Sequence, residues 1–156
     1  VAGFIGAPPM NFLPARAGNG HLVLPMTKIA LPAALCAVVA AHAGPLIAGI
    51  RPEHLHEAPL EAAAFSARVD VAEWIGAEMY LHFSLDDRVT GVEASAAVGH
   101  RAVPRNADGT VPVVARVGAA STAGEDREIG FTIDPEDLLL FDAASGRRLR
   151  APGPQA

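Results

Sequence analysis

An all-β domain with one short helix is what this sequence predicts, on three observations. Strict apolar–polar alternation runs through Phe65 to Val71, Met79 to Leu85 and Val111 to Val117, the period of a half-buried strand. Short apolar runs are separated throughout by Gly, Asn, Asp and Pro turn signals, the spacing of a barrel or sandwich. One alanine-rich stretch, Pro32 to His42, has helix grammar instead: Pro32 in its first turn and Gly44 past its end.

The elements follow in order. Residues 1–14 read as a connector, with bends supplied by Gly3, Gly6, Pro8 and Pro9 and apolar side chains able to dock on a surface. Ala15 to Leu24 reads as a strand pair turning at Gly18-Asn19-Gly20, since Asn-Gly accepts the positive φ of a tight hairpin. In the helix, Leu35, Val38, Val39 and His42 share one face, which predicts that it covers an end of the barrel. Pro112 places the Val111 strand at an edge or a strand start, and Asn106 to Gly109 turns the chain into it. Ile129 to Ile133, Leu138 to Phe141 and Arg147 to Leu149 complete the set, so the folded domain spans 15–150. Residues 151–156, rich in Pro and Gly, read as a frayed tail.

Composition narrows the function. A chain of 156 residues buries about 70% of its unfolded surface, enough for one independent core. With 51% apolar and 19% charged residues it is globular rather than disordered. A net charge of −5, with Lys28 the only lysine, opposes binding to a phosphate backbone. The single cysteine, Cys36, forms no internal disulfide and sits among apolar residues as a small hydrophobe. Val1 to Leu13 lacks the basic start of a secretory leader, and the apolar run from Ile29 to Ala43 is too short to cross a bilayer. Beginning at Val rather than Met is what an excised piece would do.

Four segments carry a resemblance. Gly49-Ile50-Arg51-Pro52-Glu53-His54-Leu55 lies downstream of Val1-Ala2-Gly3-Phe4-Ile5-Gly6-Ala7-Pro8-Pro9-Met10-Asn11-Phe12-Leu13-Pro14. Val71-Ala72-Glu73-Trp74-Ile75-Gly76-Ala77-Glu78 is similar to Val-Val-Glu-x-Leu-Gly-x-Glu. Asp134-Pro135-Glu136-Asp137-Leu138-Leu139-Leu140-Phe141-Asp142, with Gly146 to Leu149 after it, is similar to Pro-Pro-Glu-x-x-His-Leu-Phe-Asp…Thr-Gly-x-x-Leu, with Leu139 in place of the usual His. From Val1 to Leu149 the chain resembles the C-terminal regulatory part, the transport-associated OB (TOBE-type) domain, of maltose-, trehalose- and glycerol-phosphate-type ABC importer ATP-binding proteins. The resemblance implies an OB-like β-barrel following a nucleotide-binding domain, with ATP and magnesium belonging to that other domain. It also implies a homodimer, two permease subunits as partners, and a place at the inner face of the cell membrane. Positions matching Phe12, Gly44, Gly49 and Glu73 belong, in the maltose branch, to a regulatory surface for enzyme IIA. Arg51, Pro52, Glu53 and His54 are the family motif.

Catalytic chemistry has no foothold in the residues. ATP hydrolysis needs a Gly-x-x-x-x-Gly-Lys-Ser/Thr loop to hold phosphates, and Lys28 follows Pro25-Met26-Thr27 instead. Neither a Leu-Ser-Gly-Gly-Gln signature nor a Gly-x-Ser-x-Gly elbow occurs. His54-Leu55-His56-Glu57 is the best metal-like cluster, since alternate strand positions share a face, yet no second His or Cys cluster completes a site. The expectation is no catalytic, cofactor or metal site. If Arg51 and Glu53 lie on a strand, they pair and pin it into the barrel. Trp74, beside a turn, reads as an interface anchor, because aromatics supply the buried centre of contacts. Two rival readings stand beside the interaction module. A free-standing sensor of oxyanions or sugars needs converging cations or amides, and the arginines scatter. An OB-type nucleic-acid binder needs a basic groove with exposed aromatics, and this acidic chain has one Trp and one Tyr.

Overall fold

A computed structural model of the chain describes residues 9–42, 44–88 and 103–150. Along the chain run β1 (Asn11–Ala17), β2 (His21–Val23), β3 (Lys28–Ala30), α1 (Ala33–Ala40) and β4 (Leu46–Ile50). Then come β5 (His56–Ala58), β6 (Phe65–Arg68), β7 (Val71–Ile75) and β8 (Glu78–Leu85). β9 (Val111–Gly118), β10 (Glu128–Thr132), β11 (Leu139–Asp142) and β12 (Arg148–Leu149) complete the set. Among the described residues they form a six-stranded sheet, β12-β11-β4-β1-β2-β3, and two three-stranded sheets, β5-β10-β6 and β7-β8-β9. All the pairings are antiparallel, and α1 is the one α-helix among the described residues.

One apolar core joins all three sheets. Leu13, Ile50 and Leu140 enter from the large sheet, Phe65 and Phe131 from the second, and Leu81, Phe83 and Val113 from the third. Phe131 stacks on Phe65 at 5.4 Å and on Phe83 at 5.3 Å between ring centres, which fastens the two small sheets to each other. Such ring pairs add about 1 kcal/mol beyond the area they bury. β4, with sequence Leu-Ile-Ala-Gly-Ile, is buried at every residue because β1 and β11 flank it on both sides. α1 buries Val39 and sets Leu35 and Cys36 against the core.

Sequence and structure differ at definite places. Asn11 to Pro14, expected in the connector, form the first half of β1 and pair with β4. Pro14 is tolerated because β2 joins β1 only at Arg16 and Ala17, leaving one side of the strand unpaired there. Residues 1–8 of that connector, and the tail from 151, lie outside the described residues. The alternation from Phe65 to Val71 is not one strand. Val69 bonds Arg127 while Asp70 bonds His82, so the chain leaves one sheet for the next between them. Val71 therefore opens β7 and is 48% exposed rather than in the core. Arg51 and Glu53 are not on a strand either. Pro52, whose fixed φ suits a first helical turn, opens a 3-10 turn over Pro52–His54, and among the described residues neither Arg51 nor Glu53 joins an ion pair.

Candidate interaction surface

The segment Val71 to Leu85 is a hairpin. Ile75 pairs with Glu78, which leaves Gly76-Ala77 as a two-residue loop, and Gly76 takes φ +65°. Glycine at the first loop position permits that left-handed φ without strain and matches the twist of the strands. Among the described residues β7 pairs with β8 on one side only, so it is a sheet edge there. Three large apolar side chains crowd it: Trp74 is 57% exposed, and Val71 and Ile75 are each 48% exposed. Trp74 lies opposite Met79, on the face that carries Leu81 and Phe83 into the core, but it sits at the hairpin end beyond the core's reach.

The other face of this sheet carries Val71 and Ile75 together with charged groups. His82 Nε2 lies 3.2 Å from Glu73 Oε2 across the β7–β8 pair. Arg116 Nε donates to Glu78 Oε2 at 2.7 Å across the β8–β9 pair. Tyr80, opposite both Glu73 and Arg116, is buried although alternation set it on the polar side. Glu73 is thus a charged group inside an exposed apolar edge, held by a histidine rather than by a permanent cation.

The remaining candidate positions fall elsewhere. Phe12 pairs with Gly49 across β1 and β4, and Gly49 pairs with Leu139 across β4 and β11, so these three form one lateral row. A Cβ on Gly49 would come within 3.0 Å of the Phe141 ring and 2.5 Å of Met10 Sδ. Gly49 therefore makes room for Phe141, which meets half-buried Phe12 edge to face at 5.9 Å. Gly44 is exposed after α1, with φ +142°. Near it, His42 Nε2 lies 3.1 Å from Asp142 Oδ1, off the line of a ring hydrogen bond but close enough for charge attraction. Asp142 accepts from the Ser145 hydroxyl and the Ser145 N–H, and these, with smaller help from His42, hold its carboxyl below the ordinary carboxylate range.

In the family motif, Pro52 is buried, Glu53 and His54 are half-buried, and Arg51 is exposed. His54 ends the 3-10 turn while His56 begins β5, so the alternate-strand geometry of a His54–His56 metal pair does not exist. Among the described residues no group of His, Cys, Asp and Glu converges on a cation. Two further features had little sequence signal. Asn11, 6% exposed, hydrogen-bonds Val114 across the molecule, and Asp87, 2% exposed, meets Arg105 at 2.6 Å. A cleft of about 740 Å³ also opens between β5 and the end of β9, with Leu55 and Ile129 at its apolar wall and Glu57, Arg116 and Glu128 among its polar groups.

A six-stranded and two three-stranded antiparallel sheets around one core define a small, mostly β domain of OB-like fold. The MalK OB fold domain matches residues 6–55, and the TOBE domain matches residues 48–121, the two meeting at β4 and the Pro52 turn. The trehalose import ATP-binding protein SugC of Mycobacterium tuberculosis (strain ATCC 25618 / H37Rv) is 36% identical over 165 aligned residues, covering 97% of this chain and 41% of its own length. The sn-glycerol-3-phosphate import ATP-binding protein UgpC of Cereibacter sphaeroides is 38% identical over 150 residues, covering 96% of this chain and 34% of its own length. An uncharacterized ABC transporter ATP-binding protein of Escherichia coli, YcjV, is 35% identical over 99 residues, or 62% of this chain. The chain belongs to the OB/TOBE domain family of sugar-importer ABC ATP-binding proteins, whose C-terminal domain it matches. It spans between a third and two fifths of the length of the curated relatives that cover it nearly end to end. No helix among the described residues is long and apolar enough to cross a membrane.

Proposed function

We propose that this chain is the self-associating regulatory domain of the ATP-binding subunit of a carbohydrate importer. The observation that carries the reading is the edge strand β7, with Val71, Trp74 and Ile75 each about half exposed or more. Such edges are costly to leave in water and invite pairing or aggregation unless something covers them. A second copy of the chain is the occupant we infer. Two ATPase halves tied through this domain stay close together while they open and close, which raises their effective concentration without any catalytic group here.

In this reading the segment itself does no chemistry. Phosphate binding and magnesium belong to a nucleotide-binding part of the parent protein, and permease subunits reach the complex through that part. The protein works at the cytoplasmic face of the membrane. Its cargo is a carbohydrate or polyol ester, as the import names of SugC and UgpC suggest. Regulation by a cytoplasmic protein of the enzyme IIA kind would use two patches. One is Phe12, set by Gly49 beneath it, with Gly44 beyond α1; the other is Glu73. The end-to-end likeness to importer ATP-binding proteins supports this reading over a free-standing small-molecule sensor.

Sedimentation of the chain and of Trp74→Ala tests it. The substitution is expected to weaken self-association while the melting temperature holds. An unchanged association constant with a collapsed melting temperature would make Trp74 a folding residue and remove the proposed surface.

A further inference from the structure

The open edge β7 has a definite backbone polarity. Val114 bonds Asn11 through both its N–H and its C=O, so Val114 and Arg116 turn their backbone groups away from β8 and Ala115 turns its groups toward it. Ala115 lies opposite Leu81, so Leu81 bonds β9 and its neighbour Tyr80 bonds β7. Tyr80 in turn lies opposite Glu73. Val71, Glu73 and Ile75 therefore direct their backbone groups to β8, while Ala72 and Trp74 direct theirs outward. Among the described residues nothing takes these outward N–H and C=O groups.

The outward groups flank Glu73 symmetrically, which makes β7 complementary to a copy of itself. In an antiparallel pair, opposed residues either bond each other or both turn away. Centring on Glu73 obeys that rule and pairs all five residues of the strand. Centring on Ala72 or on Trp74 obeys it too, but leaves Trp74 and Ile75, or Val71 and Ala72, beyond the partner strand. The Glu73 register also covers each exposed apolar group with an apolar one. Val71 meets Ile75 of the second copy on one face, and Trp74 meets the small Ala72 of the second copy on the other.

One conflict comes with this register. Glu73 stands opposite Glu73 of the second copy, their Cα atoms about 4.5 Å apart, and like charges so placed are destabilising. Among the described residues Glu73 joins one ion pair, with His82 at 3.2 Å. Arg116 lies beyond Tyr80 and is engaged by Glu78 at 2.7 Å, so it does not offset the two carboxylates.

We propose that two copies join along β7 in the antiparallel register centred on Glu73, merging their β7-β8-β9 sheets into one, and that the opposed Glu73 carboxylates limit the strength of the union. This rests on the self-association proposed above and adds to it a register and a residue that sets its affinity.

Charge and cross-linking test it together. Glu73→Gln should tighten the dimer about two- to fivefold in sedimentation. Glu73→Lys mixed with nitrogen-labelled parent should form the mixed pair, read by mass, roughly fivefold above its statistical share. In a Cys36→Ala background, mild oxidation should trap Glu73→Cys as a disulfide dimer, because the opposed Cα atoms stand within disulfide range. Ala72→Cys should stay untrapped, since it faces Trp74. A dimer that traps Ala72→Cys but not Glu73→Cys, or whose affinity ignores Glu73→Gln, refutes this inference and leaves self-association through β7 standing. A dimer that traps neither cysteine moves the interface off β7 and removes both readings, as does a chain that stays monomeric even as Glu73→Gln.

Discussion

The Asn11 carboxamide and the Val114 backbone meet in two reciprocal hydrogen bonds of 2.8 Å, across 103 residues of sequence. A side chain thus stands in for a strand. It ties the large sheet, through β1, to the outer edge of β9, which among the described residues has no paired strand on that side. Both partners are buried or half-buried, so neither can exchange the bond for water at no cost.

Asn11→Ala is expected to lower stability by about 1.5–3 kcal/mol, from two lost bonds and two stranded backbone groups. Asn11→Asp should be at least as damaging, because a carboxylate can accept from the Val114 N–H but only repels the Val114 C=O. Urea unfolding of both variants checks this. An aspartate variant as stable as the parent would mean that the donor half of the contact contributes nothing.

Two glycines sit where a methyl group has no room, and their neighbours rank them. At Gly130 a Cβ would lie 2.6 Å from the Ala58 carbonyl oxygen and 2.7 Å from Ala63 Cβ. At Gly49 its nearest neighbour is the end of the flexible Met10 side chain, at 2.5 Å. Gly130→Ala should therefore cost more than Gly49→Ala, with both in the range of about 1–3 kcal/mol for overpacking. Chemical denaturation gives the order directly.

Asp87 carries a buried charge against Arg105, whose side chain is 30% exposed. Breaking a fully buried pair costs about 3–5 kcal/mol, and partial exposure of the arginine reduces that to about 1–3 kcal/mol for Asp87→Ala. Arg105 also donates to the Gly109 carbonyl at 2.9 Å, so its side chain keeps one anchor in the variant. The loss should be visible as a lower urea midpoint with an unchanged slope.

Among the described residues three carboxyls are held below their ordinary range in the folded state. Asp86 is lowered first by Arg88, Asp108 by the Thr110 hydroxyl and Asp142 by the Ser145 hydroxyl. A depressed carboxyl stabilises the fold above its unfolded value, and that contribution is lost as pH falls through the folded value. Stability should thus be flat from pH ~7 down to ~5 on account of these groups and decline below pH ~4. Ser145→Ala should shrink the Asp142 share of that decline, which thermal melts between pH 2 and 7, roughly, would register.

What could be read beforehand followed the physics of local patterns. The alternations that end at Leu85 and Val117 each sit in one sheet with one buried face, so period two survived into β8 and β9. Pro112 marked a strand that is at the sheet edge among the described residues, and Pro32 with the alanines after it marked α1. The passage from Phe65 to Val71 misled because alternation does not reveal which neighbour a strand has, and the chain changes sheets there without breaking the pattern. Arg51 and Glu53 could pair only if their segment were a strand, and Pro52, whose φ suits a turn equally well, opens a 3-10 turn there instead. Asn11, Asp87 and the cleft beside Arg116 depend on contacts between residues far apart in sequence, and no local pattern encodes them. Glu73 follows from a motif and Trp74 from its place beside a turn, but the edge strand that holds both is visible only in the pairing of β7 with β8 alone among the described residues.

Trp74 is the single tryptophan in the chain, so its emission reports on the β7 edge and nothing else. The most direct measurement is fluorescence of the unmodified chain across a concentration series, with mass followed by sedimentation in parallel. Self-association through β7 predicts that the emission moves to the blue as the mass doubles, the two curves sharing one midpoint. A doubling of mass while Trp74 keeps the emission of a water-exposed indole would contradict the account and place the interface on another face. A chain that stays monomeric at every concentration would contradict self-association itself.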